Sequence, residues 1–283
     1  MLKIAKLEVL FEDLYQKYNH RRFIPPDPLQ FVYKYSKPQD MEIVGLLSAM
    51  LAYGRVEQIT KSLTNLFGMM GKSPADFILN FSKKDSQRLE AFKHRFNTGR
   101  DIAALLKIIK KALTQAGSLE KFFLPGYNEN APDITDALSD FVTRMLNLHN
   151  EPIKYLLTNP SDKSCCKRMF LFLRWMLRSD EVDPGLWKSM DKAKLIVPVD
   201  VHIARFSKIL GFHNDKIISL KTAVKITESF RKICPADPVK YDFALSRIGI
   251  LENCTGRINP YCPDCELRTY CKLCQISKNT SVI

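Results

Sequence analysis

At 283 residues, with 46% apolar and 10% aromatic content, the chain can bury a sizeable core as one large or two small domains. Forty-three lysines and arginines against 30 aspartates and glutamates give a formal charge of +13, which favours polyanionic partners; charge alone leaves nucleic acid, an acidic membrane surface and no polyanion open. Glu8, Glu12 and Asp13 fall among the first apolar positions and exclude a signal-peptide core or membrane span there, so the expected compartment is the cytoplasm, where cysteines are poor disulfide candidates.

Apolar residues recur at helical spacing from the start: Ile4, Leu7, Leu10, Phe11 and Leu14, then Ile43, Leu46, Leu47, Met50 and Leu51, later Ile102, Leu105, Leu106, Ile109 and Leu113. Breaks at Pro25-Pro26, Gly71 to Pro74, Pro125-Gly126, Pro160, Pro184-Gly185 and Pro235 to Pro238 divide the chain into helices of ordinary length. No alternating strand pattern stands out, and the predicted fold class is all-α. The segment SDKSCCKRMFLFLRWMLR predicts a strongly apolar helix with Phe170 and Trp175; these rings, like Trp187, read first as core. Lys167 by itself reads as a solvent-facing or phosphate-contacting side chain at a helix start. In KLIVPVDVHIARFSKILGF a short apolar run leads into an amphipathic helix. Pro198 suits its first turn, which sets Asp200 near the N-terminus, where free N–H groups and the helix dipole suit a carboxylate; capping is the plain reading. His202 points away from Asp200 and is expected to be packed or hydrogen-bonded. Arg55, Lys61, Arg247, Arg257 and Arg268 are phosphate-contact candidates or ordinary surface.

Cys254, Cys262, Cys265, Cys271 and Cys274 crowd the end of the chain, and the residues from 275 onward read as a loose tail. The first four form C-x7-C-x2-C-x5-C, and a two-residue gap lets the chain turn tightly around an ion or cluster. The last four alone read C-x2-C-x5-C-x2-C, which suits tetrahedral zinc, so spacing leaves zinc and iron–sulfur both open.

Taken together, VPVDVH, the LLSA at Leu46-Leu47-Ser48-Ala49, KYDFALSRIG and the cysteine run resemble the helix-hairpin-helix DNA glycosylase superfamily from about residue 40 onward. Its endonuclease III and MutY branch carries a C-terminal four-cysteine iron–sulfur loop with one residue fewer in the first gap. The resemblance implies a [4Fe–4S] cluster on Cys254, Cys262, Cys265 and Cys271, with Cys274 spare or a substitute. VPVDVH is especially similar to the eukaryotic 8-oxoguanine glycosylases. The Gly-rich stretch that precedes the lysine in bifunctional members is missing, but the archaeal AGOG-type enzymes resemble this chain in their long lysine-to-aspartate interval and in I-P-V-D. On that likeness Lys167 is the nucleophile and Lys163 its rival, and Asp200 accepts the lysine proton or steadies positive charge on the sugar. Asp242 falls where AGOG-type enzymes place an aspartate against the purine. Ser246 replaces their stacking tryptophan, leaving Trp175, Trp187 or Phe170 as stacking candidates.

The implied whole is a two-lobed glycosylase-like fold with a C-terminal metal-cluster loop. Residues 1–40 form N-terminal helices packing with the C-terminal lobe, 41–195 a helical barrel, 196–274 the catalytic-aspartate helix and cysteine-cluster lobe, and 275–283 the tail. The implied activity is removal of 8-oxoguanine from double-stranded DNA by base flipping and a lysine Schiff base, by a monomer associated with the nucleoid. Rival readings are a glycosylase for oxidised pyrimidines or alkylated purines, with or without a lyase step, a DNA-binding metalloprotein without activity, and a zinc-stapled interaction module.

Overall fold

The computed structural model describes residues 2–150, 153, 155–271 and 274, so the expected tail lies outside the described residues. In chain order the described elements are α1 (Leu2–Tyr18), α2 (Pro38–Met50), α3 (Val56–Met70), α4 (Pro74–Leu79), α5 (Lys83–Arg88), the hairpin β1 (Lys93–His94) and β2 (Asn97–Thr98), α6 (Gly99–Ala116), α7 (Leu119–Phe123), α8 (Thr135–Asn147), α9 (Lys167–Leu177), α10 (Val201–Ile209), α11 (Leu220–Arg231) and α12 (Asp242–Leu251). The chain is mostly helical, as its periodicity predicts. The hairpin was not expected, because strands this short show no alternation. Among the described residues no helix is long and apolar enough to cross a membrane.

Helix starts follow local chemistry. Ser82 with Asp85, Thr98 with Asp101 and Ser219 with Thr222 form reciprocal capping boxes at α5, α6 and α11. Between them, α2 and α9 make the spine. From Ile43 to Met50 every residue of α2 is buried, since Pro28–Lys34 covers one side and α9 packs on another. Gly45 permits that approach, because a Cβ there would stand 2.9 Å from Met176 Cε. α9 is buried from Met169 to Leu177; each large apolar side chain so enclosed stabilises the fold by roughly 1.5–3 kcal/mol.

The N-terminal helix joins the C-terminal ones. Phe11 packs on Phe230 and Tyr241 at ring distances of 5.7 and 5.3 Å, Lys240 reaches Glu12 at 2.6 Å and Lys17 reaches Glu266 at 2.5 Å. Residues 28–34 go instead with α2, so the segment expected to act as one N-terminal unit divides between two packing partners.

A buried ionic network locks these parts. Arg174 and Arg178, near the end of α9, both bind Asp183; Arg174 also binds Asp242 at the start of α12, and Arg178 binds Asp237 at 3.0 Å and Asp180 at 2.9 Å. Tyr15 of α1 donates to Asp180 at 3.0 Å. Burial pushes the Asp242 carboxyl up to about 6 despite Arg174, with Asp200 adding like charge.

Candidate active site and cysteine pocket

Asp200 is the N-cap of α10, its Oδ1 accepting from the N–H groups of His202 and Ile203, both at 2.8 Å. The helix begins at Val201, so Pro198 lies outside the first turn where it was expected. Lys167 is the first residue of α9, entered from Cys166 at φ +45°, a left-handed conformation uncommon outside glycine. Two helix N-termini thus open on one cleft of about 780 Å³, and Lys167 and Asp200 both line it. Lys163, by contrast, is exposed at the end of a 3-10 turn and takes no part in the cleft wall.

The walls are aromatic and cationic. Tyr53 and Tyr155 meet edge to face at 5.2 Å, and Arg168 lies over both rings at 5.0 and 5.1 Å. Arg168 is fixed by donating to Met50 O at 2.6 Å and to Tyr155 O. Burial pushes the Tyr53 phenol up to about 12. Pro26 and Asp27, from a segment given no role by sequence reasoning, close another side. His202 also lines the cleft; its imidazole packs against Gly249, its Nδ1 has no hydrogen-bond partner, and burial holds it below the ordinary histidine range.

Other expected site residues lie elsewhere. Phe170, Trp175 and Trp187 are core and do not reach the cleft; α9 presents only its first turns there and buries Phe170 and Trp175 against its neighbours. Trp187 donates to the buried Glu42 at 2.6 Å. The stacking role expected of these rings therefore has no geometric basis, and the rings open to a ligand in the cleft are Tyr53 and Tyr155. Asp242 is buried against Arg174 and is not on the cleft wall. Arg247 is no surface phosphate contact: it is buried and lines the cleft. Arg55, Lys61 and Arg257 are exposed, and Arg268 donates to Pro263 O at 2.9 Å.

Cys254, Cys262, Cys265, Cys271 and Cys274 line one small pocket, walled by Phe206, Ile209 and Leu267. Among the described residues no three of these groups stand in the geometry of a closed metal site. They are nevertheless close: burial pushes Cys265 up to about 11, with Cys254 and Cys262 adding like charge. Gly256, at φ +79°, turns the loop where a Cβ would press on Arg205, whose guanidinium donates to Cys254 O. The donor set is sulfur throughout beside the Arg205 guanidinium, which suits iron–sulfur or zinc.

A family model described as "Protein of unknown function (DUF2400)" matches residues 27–251, a span that includes Lys167 and Asp200 and stops before the clustered cysteines. No curated protein and no solved structure matches the chain.

Proposed function

The chain belongs to the DUF2400 family, and from the cleft we propose that it is a two-lobed DNA base-excision glycosylase with an AP-lyase step, removing 8-oxoguanine from duplex DNA. One observation carries the reading: Lys167 and Asp200, 33 positions apart (200 − 167), line the same cleft from the N-termini of two helices. The cleft falls in the size range of small-molecule sites, and its positive side chains and the net charge of +13 suit a phosphate backbone. The lesion itself rests on the resemblance of VPVDVH and its surroundings to 8-oxoguanine glycosylases.

In the proposed reaction Lys167 Nζ bonds to the sugar C1′ as the glycosidic C1′–N bond breaks and the base leaves with the electron pair. Asp200, held by two backbone N–H groups, accepts the proton from the amine. The sugar ring opens to an imine, and loss of a C2′ proton with the 3′ phosphate nicks the strand. Tyr53 and Tyr155 offer faces to the flipped base. A [4Fe–4S] cluster, when bound, supplies a rigid anchor for its loop. Cys254, Cys262, Cys265 and Cys271 would hold it, with Cys274 adjacent in the same pocket.

Borohydride trapping on a duplex with 8-oxoguanine opposite cytosine tests the chemistry. Wild type is expected to give a covalent adduct that Lys167→Ala does not, and Asp200→Asn to lose base release while keeping DNA affinity. An adduct formed equally by Lys167→Ala refutes the assignment of the nucleophile, and neither adduct nor release on any lesion refutes the enzyme. A yellow-brown purified protein supports iron–sulfur, and a colourless zinc-bearing one refutes it.

A further inference from the structure

Arg247, on α12, is only 3% exposed, yet it is poorly paired. Of its five N–H donors, one on Nη1 goes to Phe23 O at 2.9 Å, Nη2 reaches Asp27 Oδ2 at 3.4 Å, and Nε has no partner. The guanidinium also lies over the Phe243 ring at 4.4 Å. The other two arginines in the interior show the contrast: Arg174 closes on two carboxylates and Arg178 on three. Burial works against the charge of Arg247, and an under-paired interior cation is costly unless a ligand uses its donors.

The surroundings say what kind of ligand that is. Arg247 and Asp27 both line the cleft that holds Lys167 and Asp200. Asp27 Oδ1 accepts from Leu29 N at 3.0 Å, which fixes the carboxylate, while Oδ2 faces Arg247. A donor and an acceptor held side by side match an edge with a carbonyl oxygen next to a ring N–H, the amide edge of an oxidised purine such as 8-oxoguanine.

We propose that Arg247 and Asp27 read the base drawn into the cleft, the guanidinium donating to its carbonyl oxygen and the carboxylate accepting from the neighbouring ring N–H. The identity of the ligand rests on the glycosylase reading; the pairing does not depend on Lys167 chemistry. Binding therefore tests it apart from catalysis. Fluorescence anisotropy compares the full chain on two duplexes, one with an uncleavable 2′-fluoro-8-oxoguanosine and one with a tetrahydrofuran abasic analogue that has no base. Wild type is expected to favour the first by about ten-fold or more. Arg247→Met, checked for a native melting transition, is expected to bring that ratio to about one with affinity for the abasic duplex unchanged. Should Arg247→Met fail to fold, Asp27→Asn serves, with the ratio expected to fall several-fold. A ratio that survives the substitution, affinities that fall together, or no preference in wild type overturns the proposal. A base-dependent ratio without any trapped adduct refutes the lyase reading alone, and an adduct without Arg247 dependence refutes this inference alone.

Discussion

Substituting Gly249 by alanine should destabilise the protein although it replaces glycine inside a helix. A Cβ at Gly249 would stand 2.1 Å from His202 Nδ1, 2.7 Å from Cγ and 3.0 Å from Cβ. The last two atoms belong to the root of the side chain, so rotating the imidazole does not clear the clash, and α10 must shift against α12. Overpacking of this kind costs about 1–3 kcal/mol, while alanine in place of helical glycine returns about 0.5–1 kcal/mol. Set midpoint against midpoint, about 2 against about 0.75 kcal/mol, the net expectation for Gly249→Ala is a loss of about 1 kcal/mol. In a His202→Gly background all three of those atoms are gone, and the same substitution should gain about 0.5–1 kcal/mol from helix propensity alone. Urea unfolding of the four proteins of this cycle reads the reversal of sign. Because Asp200 caps the helix through the N–H of His202, base release by Gly249→Ala should fall about a hundred-fold, beyond what its stability explains. A Gly249→Ala protein as stable as wild type, or one equally destabilised in both backgrounds, refutes the reasoning.

The buried network supplies a second expectation. Asp183→Asn leaves Arg174 and Arg178 without their shared carboxylate and should cost about 3–5 kcal/mol in urea melts; a loss under about 1 kcal/mol contradicts the network's importance. Trp175 Nε1 is buried without a partner, so Trp175→Phe should change stability by no more than about 1 kcal/mol and leave base release intact; lost release with native stability would return that ring to the site. Two groups should tilt stability with pH in opposite directions. His202 is held neutral by burial, so the unfolded chain gains a proton that the folded chain refuses, and stability from this group falls as pH drops below about 6.5; in thermal melts His202→Gln should flatten that arm. Asp242, at about 6 in the fold, binds its proton more tightly than the unfolded chain does. Its contribution is greatest at low pH and declines as pH rises from about 4 to about 6, a slope that Asp242→Asn should remove.

The helical character was legible because apolar spacing in α1, α2 and α6 is a property of neighbours in sequence. Asp200 was legible for the same reason: a cap bonds to N–H groups two and three residues on. The rest of the cleft lining was not. Arg247, Asp27, Tyr53 and Tyr155 come from four distant stretches, and only the folded chain brings them to one cleft. The core placement of the stacking candidates was announced by a signal that was present. FLFLRWML is apolar on every side, which marks a helix enclosed all round rather than one with a face to offer, and so Phe170 and Trp175 went to the core. The same segment held an unused clue to the network, since Arg174 in such surroundings must find carboxylates.

The ionic lock also bears on how the chain is made. Its arginines leave the ribosome well before Asp237 and Asp242, while Tyr15, translated far earlier, waits for Asp180. Until Asp237 and Asp242 emerge, Arg174 and Arg178 have only Asp180 and Asp183 to close on, so the end of α9 lacks two of the carboxylates that fix it in the finished fold. A product stopped just short of Asp242 should lack the carboxylate that closes Arg174 and so seal its interior less firmly than a chain carried past it.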